Sequence, residues 1–400
     1  MLFTKLLKNE LDNRHEDFRR HADEQARDLS LYLKALRKLE QTDFEEIRKI
    51  CAENENIGAI PADELSRSGS FSVQFGEKWD NHEQARAWAM EILKDRTTFA
   101  ADGSQLYFEK ETSLPIGAIQ IGWFENPHSA SQNYTKNAEF TVLTPKDLLH
   151  GLEEPVNPET RVGEKRFHAE AARVAEFLSS MKGWRERGER MPLAFFDGTL
   201  LVSFSLPQTA LQMSFVQAMV NLVRHSSDCR VPLVGYVDRS FARDLLSMLG
   251  GFGDGAIEKN TLYDSSILHK GDSPVLYTWG ARTSFCYSER QGLQAFIDQA
   301  TGRSLVGFSY LQTTSNSGPA RLDIPGWVYE EGLLDELLDV VRAECVIGLG
   351  YPYALETADQ TAVISYKDKE IFLAALQEFA TREKLGFSVA RKAASKNRRR

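Results

Sequence analysis

The residues best suited to chemistry in this sequence are two aspartates in a repeated setting. Thr98-Phe99-Ala100-Ala101 runs into Asp102-Gly103-Ser104, and Pro192-Leu193-Ala194-Phe195-Phe196 runs into Asp197-Gly198-Thr199. In each, an apolar run of strand character delivers an aspartate, a glycine that lets the backbone bend, and a small hydroxyl residue. Side by side, two such strands bring both carboxylates to one edge of a sheet. Close carboxylates repel unless they share a proton or hold a cation, so the pair reads as a candidate Mg²⁺ or Mn²⁺ site. Either Asp-Gly alone also suits a hairpin or turn. The duplication of the whole pattern is what favours the metal.

A good metal site needs further carboxylates. Glu170 opens the helix expected over Phe167 to Lys182, which leads into the Asp197 strand, and Glu176 is its competitor later on the same helix. Asp359 follows Gly350-Tyr351-Pro352-Tyr353 and precedes Thr361-Ala362-Val363-Ile364-Ser365, which has the texture of a strand. A turn, a short helix and an acidic residue entering that strand would present Asp359 to the same edge. The competing readings are solvated helix surface for the glutamates and an N-cap or turn for Asp359.

The elements that must position these groups follow from periodicity and breakers. Residues 1 to about 56 contain no Gly or Pro and read as helix, with Leu29, Leu33, Leu36 and Leu39 as a stripe and Thr42-Asp43-Phe44-Glu45 as a capping box. This arm packs on the core or docks a partner. Strands are expected from Thr98, at Ile116 to Ile121 and at Glu139 to Leu143 as an antiparallel meander, then a polar loop over 145–165. Residues 209 to 224 read as helix, Val231 to Val237 as a buried strand ending at Asp238, and 241 to 249 as helix. Strands near 274–280 and 304–312 and a helix from about Gly332 to Ala343 complete an α/β layered fold. The partition expected is a helical region and connector over 1–95, a core domain over 96–380 and a basic tail over 381–400.

Composition sets outer limits. With 48 basic and 57 acidic residues the net charge is -9, which argues against a protein that coats nucleic acid through overall charge. Any such contact must be local. Cys51, Cys229, Cys286 and Cys345 are widely spaced with no C-x-x-C pair, which fits a reducing cytoplasm and gives no disulfide framework. The N-terminus does not read as a signal peptide, and no apolar run approaches the roughly 20 residues that span a bilayer. The expectation is a cytoplasmic protein without a membrane partner. Local basic charge does occur at the C-terminus: Arg391 to Arg400 holds six basic residues, Lys392 and Lys396 among them, and no acid. Such a tail gains affinity for phosphates through counterion release, or serves as a disordered solubilising segment.

Five motifs in order carry a more specific message. Ala101-Asp102-Gly103-Ser104-Gln105, Phe196-Asp197-Gly198-Thr199-Leu200, Gly235-Tyr236-Val237-Asp238-Arg239, Arg321-Leu322-Asp323-Ile324-Pro325-Gly326-Trp327, and Gly350-Tyr351-Pro352 with Ala358-Asp359 resemble the NurA nuclease family over roughly residues 95 to 395. The resemblance implies an RNase H-like mixed sheet flanked by helices, behind a helical N-terminal extension. It implies Mn²⁺-dependent 5′-to-3′ exonuclease and single-strand endonuclease activity on DNA, and a homodimer docked on a hexameric HerA-type ATPase. Asp102 matches the family's first aspartate, Asp197 its second and Glu170 the glutamate of the intervening helix. Asp359 stands where many relatives carry a histidine.

Those four carboxylates are the catalytic and metal-binding set the resemblance implies. Two divalent ions, Mn²⁺ or Mg²⁺, would clamp the attacking and leaving oxygens of a phosphodiester, with Asp102 bridging them. Beside the tail, Arg239 supplies a phosphate contact or Asp238 simply ends a strand, and Arg321 and Tyr351 are structural or DNA-facing rather than catalytic. Trp123-Phe124 and Phe308-Ser309-Tyr310 are aromatic runs that stack bases or fill the core. The role expected is DNA end processing, repair or defence against foreign DNA. The alternative is a catalytically weak interaction subunit capping an ATPase ring.

Overall fold

The computed structural model describes residues 3–54, 56–108, 112–113, 115–149, 157–204, 208–253, 262–271, 274–314 and 317–386. The basic run from Arg391, with Lys392 and Lys396, lies outside the described residues. The chain forms two compact units, Met1–Trp79 with Tyr236–Glu331 and Asp80–Gly235 with Gly332–Arg400. These cut across the partition expected at residues 95 and 380. The N-terminal helices belong with a segment some 200 positions away in sequence, because their leucine stripe needs a partner surface.

In the first unit that surface is apolar. Helices Thr4–Asn13, His15–Gln41 and Phe44–Ala52 follow one another, and Tyr32, Leu36, Leu39 and Ile47 are buried with Leu245, Leu249, Phe308 and Tyr310. The first helix and the start of the second bury nothing: Phe3, Leu6, Leu11 and Phe18 are exposed. Antiparallel strands Gly58–Pro61, Cys286–Glu289, Val306–Leu311 and Ala320–Pro325 lie in that order. No strand forms over 274–280. The unit's interior is also ionic. Asp264 is fully buried, and its carboxylate oxygens accept from the backbone N–H groups of Leu245 and Leu246 and from the Tyr310 hydroxyl at 2.9–3.1 Å.

The second unit carries the aspartates. Strand Thr98–Phe108 pairs antiparallel with Ile116–Asn126, which pairs antiparallel with Thr135–Leu143, the expected meander. On its other side Thr98–Phe108 runs parallel to Leu193–Asp197, which neighbours Leu233–Val237. A parallel neighbour requires a long crossover, and helix Pro158–Met181 supplies it. This helix starts nine residues before the Phe167 expected from sequence. Pro158 suits the first helical position, and the Asn157 side chain accepts from Glu159 N at 2.8 Å. Helices therefore cover a mixed sheet, the RNase H-like layout. Phe99 stacks on Phe177 with ring centroids 4.6 Å apart, fixing the crossover helix to the sheet.

Residues 361–365 are a correction to the sequence reading. Helix Tyr353–Ala362 runs through Asp359, and no strand follows. Two tertiary anchors override the β-branched texture. Buried Glu344 accepts from Ala354 N at the helix start, 2.9 Å, and from Thr98 Oγ1, 2.8 Å. At the far end Gln120 Nε2 donates to the Ala362 carbonyl at 3.1 Å. The helix is thereby tied to two strands of the sheet at both ends.

Candidate active site

Strand register places the first two aspartates. The last parallel pair between their strands is Ala101 with Phe196, so Asp102 and Asp197 are the next residues on adjacent strands. Asp102 is half-buried within its long strand, whereas Asp197 ends its own and is exposed. The two following glycines do different work. Gly198 has φ +119°, a left-handed conformation that turns the chain away and that other residues rarely adopt. Gly103 stays in the strand and does not bend. A Cβ there would sit 2.4 Å from Glu170 Oε1, so the missing side chain is the space the glutamate carboxylate occupies.

Asp359 arrives by a similar device. Gly122 is the antiparallel partner of Asp102, and a Cβ at 122 would lie 2.4 Å from the backbone nitrogen of Ala362. The bare glycine lets helix Tyr353–Ala362 lie against the strand, which brings Asp359 near enough to Asp102 to raise its proton affinity. Burial, then the charges of Asp197 and Asp359, push the Asp102 carboxyl up to about 6, against a pull downward from the Gly103 N–H. Burial likewise raises Glu170 to about 7, opposed by Arg166 and reinforced by Asp102 and Asp197. All four predicted carboxylates thus belong to one electrostatic neighbourhood.

The neighbours complete the picture. Tyr351 donates its hydroxyl to Asp197 Oδ1 at 3.1 Å. Arg166, one helical turn before Glu170, forms an ion pair with it and donates to the Gly103 carbonyl at 3.0 Å and to Gln105 Oε1 at 3.1 Å. Sequence reasoning passed over both Arg166 and Glu344, although the Arg166-to-Glu170 spacing is the i,i+4 signal of a helical ion pair. Glu176, the competitor, is an exposed surface residue paired to Arg173 at 2.7 Å.

Burial decides between two pairs of readings. Arg321 is 2% exposed and meets no phosphate: it lies between Asp244 and Asp323, 2.7 Å from each, against the Phe308 ring. Residues 321 and 323 alternate onto one face of a strand, so the cation neutralises a buried carboxylate pair. Phe124, Phe308 and Tyr310 are buried core rings, and Trp123 lies under the Arg173 guanidinium at 4.0 Å. Arg239 is exposed just beyond strand Leu233–Val237, where Asp238 simply follows the strand's end.

The donor set is one of hard oxygens, which suits Mg²⁺ or Mn²⁺. The raised proton affinities of Asp102 and Glu170 mark where positive charge is wanted. Among the described residues, no group of three His, Cys, Asp or Glu side chains is placed to hold a metal ion. Glu170 is committed to Arg166 instead. The residues fit a cation that draws Asp102, Asp359 and Asp197 together, and Glu170 joins only by leaving its arginine.

The fold is a mixed-sheet α/β layout, with Asp102, Glu170, Asp197 and Asp359 in one electrostatic neighbourhood. The NurA domain model matches residues 96–364, more than half of the sequence, and the chain belongs to the NurA family, the nuclease family its motifs resemble. A crystal structure of NurA with manganese is similar at 9% identity and a TM-score of 0.38, over 71% of this chain and 89% of that one. The catalytic domain of human endonuclease V is similar at 11% identity and a TM-score of 0.31, over 74% and 96%. Argonaute of Aquifex aeolicus shares 10% identity with a TM-score of 0.24, over 67% of this chain and 28% of its own. No curated protein matches by sequence. Among the described residues no helix is long and apolar enough to cross a membrane.

Proposed function

We propose that the protein is a divalent-cation-dependent DNA nuclease, acting as a 5′-to-3′ exonuclease and single-strand endonuclease in DNA end processing or defence. The observation that carries this reading is Asp102 and Asp197 on adjacent parallel strands, with Glu170 and Asp359 brought to Asp102 by helices that close on Gly103 and Gly122. Asp102, Asp197 and Asp359 are the residues that would hold the metal, with Glu170 as the fourth. A divalent ion there would polarise a phosphodiester and activate water; a second, about 3.5–4 Å away, would stabilise the leaving oxygen. The chain's own part is to hold Asp102 on a rigid strand, to fix Asp197 through Tyr351, and to carry Asp359 on a helix anchored at both ends. A homodimer and a HerA-type ring ATPase are the partners this reading carries with it.

The test is incubation of linear duplex and single-stranded DNA with Mn²⁺, Mg²⁺ or EDTA. Cleavage should need the cation, and Asp102→Ala should reduce it by about a hundred- to thousandfold, the scale of losing a key electrostatic group. Cleavage in EDTA or by the folded variant would overturn the assignment. A second reading, a weakly catalytic subunit capping an ATPase ring, draws on the Glu170–Arg166 pair and on exposed Phe3, Leu6, Leu11 and Phe18 of the N-terminal helices. It requires that no cation produce cleavage while the ring partner still binds.

A further inference from the structure

We propose that Arg166 binds a phosphate of the DNA strand at the carboxylate site, which rests on the nuclease reading above. A guanidinium has five N–H donors. In Arg166 three are used: Nε to Gln105, and Nη1 to both the Gly103 carbonyl and Glu170. Among the described residues nothing accepts from Nη2, and the side chain keeps 31% of its exposure. Here three bonds fix the plane, and the two Nη2 donors remain at the margin of the site.

The electrostatics point the same way. Four carboxylates repel a polyanion, so a strand approaching them needs fixed positive charge on the protein as well as any bound cation. Arg321 does not supply it, being locked between buried aspartates. Arg166 is joined to the Gly103 carbonyl one residue beyond Asp102 and to Glu170 one turn along its own helix. Its planar fork matches the non-bridging oxygens of a phosphate. When a cation takes Glu170, the Nη1 donor that Glu170 releases faces the same substrate, so occupation by the ion would strengthen the grip on DNA.

The experiment is fluorescence anisotropy of a labelled single-stranded oligonucleotide with the full-length protein in EDTA, titrated across salt concentration. One phosphate contact contributes about 0.7 to the slope of log K against log salt on a single strand. Arg166→Gln should lower the slope by about that amount, and Arg166→Lys should retain it while cleaving more slowly, because a point charge cannot fork. Since Arg166→Gln leaves Glu170 without its counter-ion, the same slope is measured in the Arg166→Gln/Glu170→Gln pair, which restores neutrality. An unchanged slope in both, whatever happens to melting temperature, overturns the inference and leaves Arg166 a structural ion pair. Wild-type cleavage of the same oligonucleotide with Mn²⁺ or Mg²⁺ is scored separately, so failure of the nuclease reading is not mistaken for failure of this one.

Discussion

Removing the charge of Glu170 should stabilise the cation-free protein, and only at the higher end of the pH scale. The Glu170 carboxyl sits at about 7 in the folded chain against an ordinary value of 4.5, mainly because it is buried against Gly103. A carboxyl moved that far is worth about 3 kcal/mol at 1.4 kcal/mol for each tenfold change in proton affinity. Below pH 4.5 the group is protonated whether the chain is folded or not and has no effect. Between 4.5 and 7 the folded form holds the proton more firmly than the unfolded form, so stability falls as pH rises. Above 7 the full penalty applies. Glu170→Gln imitates the protonated group, and should therefore match the wild type at pH 4 and exceed it by up to about 3 kcal/mol at pH 8.

The assay is thermal or denaturant unfolding of both proteins in EDTA from pH 4 to pH 8.5. For a domain of 150–250 residues, 1 kcal/mol moves the melting temperature by about 2–4 °C, so the gap should open by several degrees across that range. Adding Mn²⁺ supplies the second half of the argument. A ligand at about a hundred times its dissociation constant stabilises the folded state by about 2.7 kcal/mol, which nearly offsets what ionised Glu170 costs. The wild type should gain more from the ion at pH 8 than Glu170→Gln does. A difference between the two proteins that does not change with pH would refute the reasoning, because burial of an ionisable carboxyl would not be what separates them.

Three further outcomes are expected. Gly122→Ala places a methyl 2.4 Å from the Ala362 nitrogen, so it should cost about 1–3 kcal/mol of stability and lower cleavage by lifting Asp359 away from Asp102; a fully active, equally stable variant would show that the close approach is unnecessary. Tyr351→Phe removes the exposed hydrogen bond to Asp197 and should slow cleavage up to about tenfold, the value of one ordinary hydrogen bond, with little change in unfolding. Arg321→Met removes the nearer cation from buried Asp244, which keeps Arg290 at 3.7 Å, and the guanidinium 2.7 Å from buried Asp323; it should destabilise by about 3–5 kcal/mol, yet leave the salt dependence of DNA binding as it was at temperatures where the protein stays folded.

The strands and their two aspartates were readable because the information is local. An apolar run, an aspartate and a glycine occupy six or seven consecutive residues, and adjacency of the strands follows from the crossover helix between them. What each glycine does was not readable. Gly198 answers to its own backbone angle, but Gly103 answers to a glutamate 67 positions later, and nothing near Gly103 in sequence distinguishes the two cases. The choice between Glu170 and Glu176 had the same character, since helical periodicity admits both and only contact with the sheet excludes the solvated one. Arg321 is the reverse lesson. Its spacing from Asp323 puts both on one face of a strand, so a buried ion pair was available from the pattern and a DNA contact was the less economical reading.

Asp359 shows why a helix there serves the site better than the strand its β-branched residues suggest. A strand beside Asp102 would fix its carboxylate by register alone, at the pleat spacing of the sheet. A helix lying across the sheet lets Asp359 meet Asp102 from above, at a height set by how closely the backbones approach. Gly122 sets that height, Glu344 sets where the helix begins, and Gln120 holds where it ends. Such an arrangement keeps the acidic pair assembled before a cation arrives. That burial and neighbouring carboxylates raise the proton affinity of Asp102 and Glu170 is what distinguishes a site waiting for positive charge from a satisfied ion-pair network like the one around Arg321.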